Sequence, residues 1–429
     1  MRYQPISREF YKRNRANFIS KIKPGSIAIF NSNDIMPTNA DGQMPFRQNN
    51  DLLYLSGIDQ EQTMLVIFPD FPEKKNNEIL FIQETSEEIA IWEGNKLTRE
   101  QARQISGIDT ICWLAEFPKL FNTMMSQAEY VYLNANDHIR ANAVVETREV
   151  RFAKMCREKY PAHKFERSAP IMGLLRGIKY EEEIDMLRTA CNITEAGFRR
   201  ILKMVKPGVM EYEIEAELLH EFVRSRSRGF AYEPIIASGF SSCILHYTQN
   251  NLECKDGDIL LLDIGAEYGN YNADLTRSIP VNGKFTTRQK EVYKSVLHVQ
   301  REAFKLLVPG NNIQDYHKEI GRIMEAELIK LGLLDKTDVK NQNPERPLYL
   351  KYFMHGTSHH LGLDVHDWVN WWRNLEEGMV LTVEPGIYIR EESLGIRIEN
   401  DVVIRENGVE DLMAGIPVEI AEIEDLMNS

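Results

Sequence analysis

At 429 residues, with 43% apolar and 9% aromatic residues, the chain has material for two globular domains with sizeable cores. A formal net charge of −13 argues against a nucleic-acid binder, which needs a basic surface. No apolar run reaches the length of a membrane span, so no membrane partner is expected.

The opening stretch, MRYQPISREFYKRNRANFIS, is charged and has no apolar core of the kind a secretory signal carries. The five cysteines (Cys112, Cys156, Cys191, Cys243, Cys254) are scattered and form no CxxC pair. Together these features predict a reduced, cytoplasmic chain. SIAIF, TMLVIF, EILFIQ and YVYLNA follow as short β-rich strands, with a helix near 98–106. This segment reads as an α/β domain with its own sheet.

Around 164–180 the pattern breaks in KFERSAPIMGLLRGIKY, and a domain boundary is placed near 170. A long amphipathic helix begins at EEEIDML, with Ile184, Leu187, Cys191, Phe198, Ile201, Leu202 and Val205 at helical spacing. Acidic residues open it, Arg199, Arg200 and Lys203 sit near its end, and Pro207-Gly208 stops it. The stretches KMVKPGVMEYEIE (203–215) and KLLVPGNNIQDYHKEI (305–320) share a helix end, a Pro-Gly stop and a new helix. Each is followed by a hairpin pattern, at 256–281 and at 378–404. Two half-domains related by an internal pseudo-twofold are predicted.

The hairpins carry carboxylates in very apolar surroundings. Asp263 ends ILLLD, and with a two-residue turn at Gly269-Asn270 it faces Thr276. Asp274 then lies one diagonal step away on the same face. Glu384 follows MVLTV, Glu399 follows GIRI, and Arg397 shares a face with Glu399. Any one of these alone reads as a surface residue. Four together do not, because like charges in a low dielectric cannot all stay ionised. Two divalent cations would balance them, and carboxylates with an imidazole suit Mn2+, Co2+, Zn2+ or Fe2+. Histidines stand nearby: HGTSHHLGLDVH (355–366) holds four of the chain's ten. It has no HExxH helix pattern and reads as loop and strand. If extended, His359 and His360 point opposite ways, and spacing alone does not choose between them. His246, in ILHYTQN, precedes the first hairpin.

LLLDIGAEYGNYNADLTRSIPV, FMHGTSHHLGLDVHD, LTVEPGIYI and GIRIENDVVI, in this order, resemble the dimetal peptidases of the pita-bread fold, metallopeptidase family M24. Within it the Xaa-Pro aminopeptidases (the aminopeptidase P family) match best: FRQNNDLLYLSGIDQEQTMLVIF is similar to their N-terminal domain and RGIKYEEEIDMLR to the start of their catalytic domain. The resemblance implies an α+β fold. A pita-bread catalytic domain with an antiparallel sheet and helices, residues 171–429, would follow a smaller α/β domain, residues 1–170. It implies Asp263, Asp274, His359, Glu384 and Glu399 as ligands of two divalent metals, most simply Mn2+. Asp274 and Glu399 would bridge, Asp263 would serve one ion, and His359 with Glu384 the other. The implied reaction releases the residue ahead of a proline in the second position, through a hydroxide shared by both metals. Glu384 would shuttle its proton, and His355 and His366 would contact substrate and the developing oxyanion. His246 would line the proline pocket, Arg397 would orient Glu399 or meet substrate, and Tyr388 would add a hydrogen bond or merely pack. The family pattern also implies peptide substrates and a homo-oligomer, dimer or tetramer.

His360 stands where relatives often carry a large aromatic and is assigned to packing or the rim. Trp368, Trp371 and Trp372 follow, where relatives commonly have a smaller stretch; loop core is the favoured reading, ahead of a wall of the proline pocket and an oligomer contact. Prolidase is the rival with the same chemistry, and a non-catalytic pita-bread binding protein is the rival of another class. Methionine aminopeptidase usually lacks such an N-terminal domain. Cys243 is read as a buried core thiol rather than a nucleophile.

Overall fold

The computed structural model describes residues 3–142 and 144–429. It divides into two compact units, Pro5–Arg176 and Gly177–Ser429, with Tyr3 and Gln4 joining the second. Gln4 donates its backbone N–H to the Tyr268 hydroxyl at 3.2 Å, and the Tyr3 ring meets the Tyr268 ring edge-on. The division therefore falls at the end of the Ala169–Gly177 helix rather than near 170.

The first unit is built on a mixed six-stranded sheet. Its strands are β1 (Ser26–Asn31), β2 (Met64–Ile67), β3 (Glu78–Ile82), β4 (Thr110–Trp113), β5 (Tyr130–Leu133) and β6 (Lys164–Arg167), in the order β4-β3-β2-β1-β5-β6. The four apolar runs expected as strands are the four central ones, each buried along nearly its whole length. Ile27, Ile29, Val66, Ile79, Phe81 and Val131 form one core with Phe117, Phe121 and Met124 of the Phe117–Met125 helix. The two edge strands are half-exposed, which is why their sequences carry mixed polarity. The apparent break at 164–180 is thus edge strand β6 followed by the Ala169–Gly177 helix.

The second unit repeats one element order. The Glu181–Leu202 and Glu211–Arg224 helices precede one hairpin; the Thr287–Leu306 and Ile313–Lys330 helices precede another. The first helix pair packs closely at Gly197, where a Cβ would sit 2.7 Å from the Phe222 ring. Strand β7 (Ile235–Ser238) pairs with β8 (Ile259–Ile264), which pairs with β11 (Leu275–Pro280). Between them β9 (Glu267–Tyr268) and β10 (Tyr271–Asn272) close the hairpin in the same register. Gly269 and Asn270 turn it, both with positive φ (59° and 69°), as a right-twisted two-residue hairpin requires. Thr276 faces Asp263, as predicted.

The second hairpin is also continuous in register. β12 (Val380–Val383) pairs with β15 (Asn400–Arg405), and β13 (Gly386–Ile389) with β14 (Leu394–Arg397). The ladder opens only where Glu384 lies opposite Glu399. A last strand, β16 (Gly408–Asp411), extends β15. Among the described residues no helix is long and apolar enough to cross a membrane.

Candidate metal centre

The carboxylates gather where the two hairpins meet. The hairpins meet through Glu399 N–H on the Thr276 carbonyl (3.0 Å) and Arg397 N–H on the Ser278 hydroxyl (3.1 Å). Arg277, fully buried, donates to the Glu399 carbonyl at 2.7 Å and ties the same junction from behind. Asp274, His359 and Glu399 each place one ligand atom within 4.8 Å of the other two, an arrangement that could hold a metal ion. His359 Nε2 lies 3.5 Å from Asp274 Oδ2 and 3.7 Å from Glu384 Oε1. Asp263 joins them through Tyr232, whose hydroxyl lies 2.5 Å from Asp263 Oδ1 and 2.6 Å from Asp274 Oδ1. All five residues expected from sequence are therefore in one cluster.

The electrostatics fit a cation pair. Burial first, then the neighbouring carboxylates, push Glu399 well above the usual carboxylate range. Burial likewise raises Asp263, although Arg397 opposes it, and lifts Glu384 to about 7. The single phenolic proton of Tyr232 serves two carboxylates at once. A set of oxygens this crowded becomes fully ionised only beside added positive charge. His359 Nδ1 meets its neighbour's carbonyl, His360 O, at 3.1 Å; a carbonyl only accepts, so Nδ1 carries the proton and Nε2 faces the carboxylates.

The extended 357–361 segment runs beside β12: Thr382 N–H donates to His359 O, and Leu361 N–H to Val380 O. His359 and His360 accordingly face opposite ways. His360 is buried against Trp371, with ring centroids 6.1 Å apart, in keeping with a packing role. Trp372 is 75% exposed, so the three tryptophans do not share one core environment. His366 stands perpendicular to His359 at 4.3 Å. His355 lies 3.6 Å from Glu384 through its Nδ1 and makes two hydrogen bonds. Its Nδ1 meets the Gly356 carbonyl at 2.8 Å, so that nitrogen carries the proton, and its Nε2 accepts from the Tyr388 hydroxyl at 2.8 Å. Burial, then the Arg397 charge, holds the ring neutral with a pKa of about 3, and His246 adds a smaller push in the same direction.

Arg397 does not pair directly with Glu399. It donates to Asp263 Oδ2 (2.6 Å), the Tyr388 hydroxyl (2.9 Å) and Thr276 Oγ1 (3.0 Å), and Thr276 in turn donates to Glu399 Oε2 at 2.6 Å. Tyr388 is therefore hydrogen-bonded on both sides. Four residues were not anticipated: Tyr232, Thr276, Asp401 (whose Oδ2 accepts Asp274 N–H at 3.0 Å) and His317 (whose Nδ1 accepts Thr357 N–H at 3.1 Å). Tyr232, Asp401 and His317 sit in no sequence pattern that distinguishes them. Thr276 alone had a signal, its predicted position opposite Asp263. Cys243 is buried in an apolar cluster with Tyr247, Leu261 and Tyr388.

Residues 185–406 match the model of metallopeptidase family M24, and residues 11–132 match that of the aminopeptidase P N-terminal domain. The chain is 36% identical to Xaa-Pro aminopeptidase of Escherichia coli (strain K12), with 98% of each chain covered. It is 34% identical to the Haemophilus influenzae Xaa-Pro aminopeptidase, covering 99% of this chain and 98% of that one. Among solved structures, aminopeptidase P from E. coli in its low-pH form superposes with a TM-score of 0.88 at 34% identity, covering 99% of both chains. Family match, full-length relatives and superposition agree: the chain belongs to metallopeptidase family M24 and carries the aminopeptidase P N-terminal domain ahead of its peptidase domain.

Proposed function

We propose that this chain is a metal-dependent aminopeptidase that cleaves the bond between a free N-terminal residue and a following proline. One observation carries the reading: four buried or half-buried carboxylates from two hairpins meet the His359 imidazole, in a chain similar end to end to proteins named Xaa-Pro aminopeptidase. Asp263, Asp274, His359, Glu384 and Glu399 would hold two divalent cations, with Mn2+ the proposed pair. When bound, such ions lower the pKa of water and polarise a carbonyl.

The chain's own residues do the rest. Glu384, a carboxylate at the edge of the cluster, takes the proton of the attacking water and passes it to the departing proline nitrogen. His366, beside His359, donates to the substrate oxygen as negative charge builds there. His355 has both ring nitrogens engaged and lines the pocket in neutral form. Arg397 holds Asp263 and Tyr388 in place, and His246 meets the proline side. An Xaa-Pro bond is a tertiary amide with no N–H, so a site that requires no donor from the scissile nitrogen suits it. We further infer a cytoplasmic homo-oligomer, in keeping with the five free thiols and the family pattern.

The test compares metal-reconstituted protein on Xaa-Pro-Yaa, Xaa-Pro and Met-Ala-Yaa peptides. Turnover of the first, abolished by chelator, is expected. Turnover of Xaa-Pro dipeptides alone would make the protein a prolidase, and turnover of Met-Ala-Yaa alone would overturn the proline reading.

A further inference from the structure

Glu211 is a carboxylate outside the metal cluster that is fully buried and surrounded by donors. It opens the Glu211–Arg224 helix, where the backbone dipole favours an anion. Its Oε1 accepts from Ser238 N–H (2.8 Å) and the Ser238 hydroxyl (2.7 Å). Its Oε2 accepts from the Tyr247 hydroxyl (2.7 Å) and Leu252 N–H (2.9 Å). Its own N–H donates to the Leu252 carbonyl at 3.0 Å.

These partners bracket one segment. Ser238 ends β7, Leu252 closes the excursion that follows, and Tyr247 adjoins His246 in between. Leu245 and Tyr247, on either side of His246, pack in one apolar cluster with Tyr388, whose hydroxyl donates to His355. His246 itself is exposed, so its placement depends on the packed residues on either side and on how the segment's two ends are held.

We propose that Glu211 is a positioning residue for substrate binding: by clamping both ends of the 238–252 segment it sets His246 beside the His355–Tyr388 wall of the proline pocket. This rests on the proposed peptidase reading for its substrate, but the clamp is testable without turnover. A glutamine at 211 keeps one acceptor oxygen and turns an NH2 towards donors, so one end of the segment is released.

Two measurements on Glu211→Gln decide the matter: hydrogen exchange of the 238–252 amides, and steady-state kinetics on an Xaa-Pro-Yaa peptide with Mn2+ binding followed in parallel. The expected result is faster exchange confined to that segment. KM should rise about tenfold, the size of one lost charged hydrogen bond, with kcat within about twofold and Mn2+ affinity unchanged. In a His246→Ala background the KM effect of Glu211→Gln should largely vanish. Should Glu211→Gln not fold, Tyr247→Phe removes a single donor from the clamp and should show the same pattern more weakly. Unchanged exchange, a loss of Mn2+ binding, a fall in kcat at constant KM, or full additivity with His246→Ala would each overturn the proposal. If the wild-type protein turns over no Xaa-Pro-Yaa peptide, the peptidase reading falls, and the exchange measurement still decides the clamp.

Discussion

Glu384 sits under two opposed influences: burial raises its carboxyl to about 7, while His359 and Arg397 draw it down. Replacing it with glutamine removes the proposed proton carrier and keeps the shape. Glu384→Gln should lower kcat by about 10²–10⁴-fold, read in steady-state kinetics at saturating metal. Arg397 makes three directed bonds from one planar fork, which lysine cannot reproduce. Arg397→Lys should weaken metal binding by about 10–100-fold through the loosened Asp263, measured by titration calorimetry on the metal-free protein. At this scale the gathering of the four carboxylates was legible because carboxylates inside apolar strands contradict their own hydration; spacing did not choose the histidine that joins them. Tyr232 and Asp401 were not, because they reach the centre only through tertiary contact, from a loop before β7 and from within β15.

At the scale of the element, the hairpin turn has a sharp requirement. Gly269 has φ +59°, and a Cβ there would lie 2.1 Å from the end of the Met186 side chain. Gly269→Ala should destabilise the second unit by about 1–2 kcal/mol, seen as a lower thermal midpoint. In the first unit Glu149 is buried at the start of the Arg148–Lys159 helix and accepts from Asn31 N–H (3.0 Å) and Nδ2 (2.8 Å). Burial raises its carboxyl from 4.5 to about 7. A folded value above the unfolded one means that its contribution is complete below pH 4.5 and is lost as pH rises through about 7. Glu149→Gln should flatten that decline between pH 4.5 and 7 in denaturant midpoints. A variant that keeps the full wild-type slope would contradict the assignment. The central strands and both hairpins were readable because burial on both faces, or a turn with apolar flanks, leaves a local pattern. Edge strands β4 and β6 were not, since half-exposed residues blur the alternation.

For the whole molecule, the two hairpins and the helix pairs ahead of them fold around a centre that repels itself. Stability should therefore depend on divalent ions: each occupied site should add about 2.7 kcal/mol at a hundredfold excess over Kd, read as a rise in thermal midpoint on titrating Mn2+. The overall organisation was legible because helix stops and hairpins recur in order; the exact division at 176/177 was not, because it falls at the end of an ordinary helix. The most direct measurement counts divalent metal in the reconstituted wild-type chain and in Asp274→Asn, while following Xaa-Pro-Yaa hydrolysis in the same samples. Two equivalents per wild-type chain, fewer in the variant, and activity that disappears with the metal are the predicted result. A wild-type chain that binds no divalent metal, or that hydrolyses the peptide equally well after chelation, would contradict it.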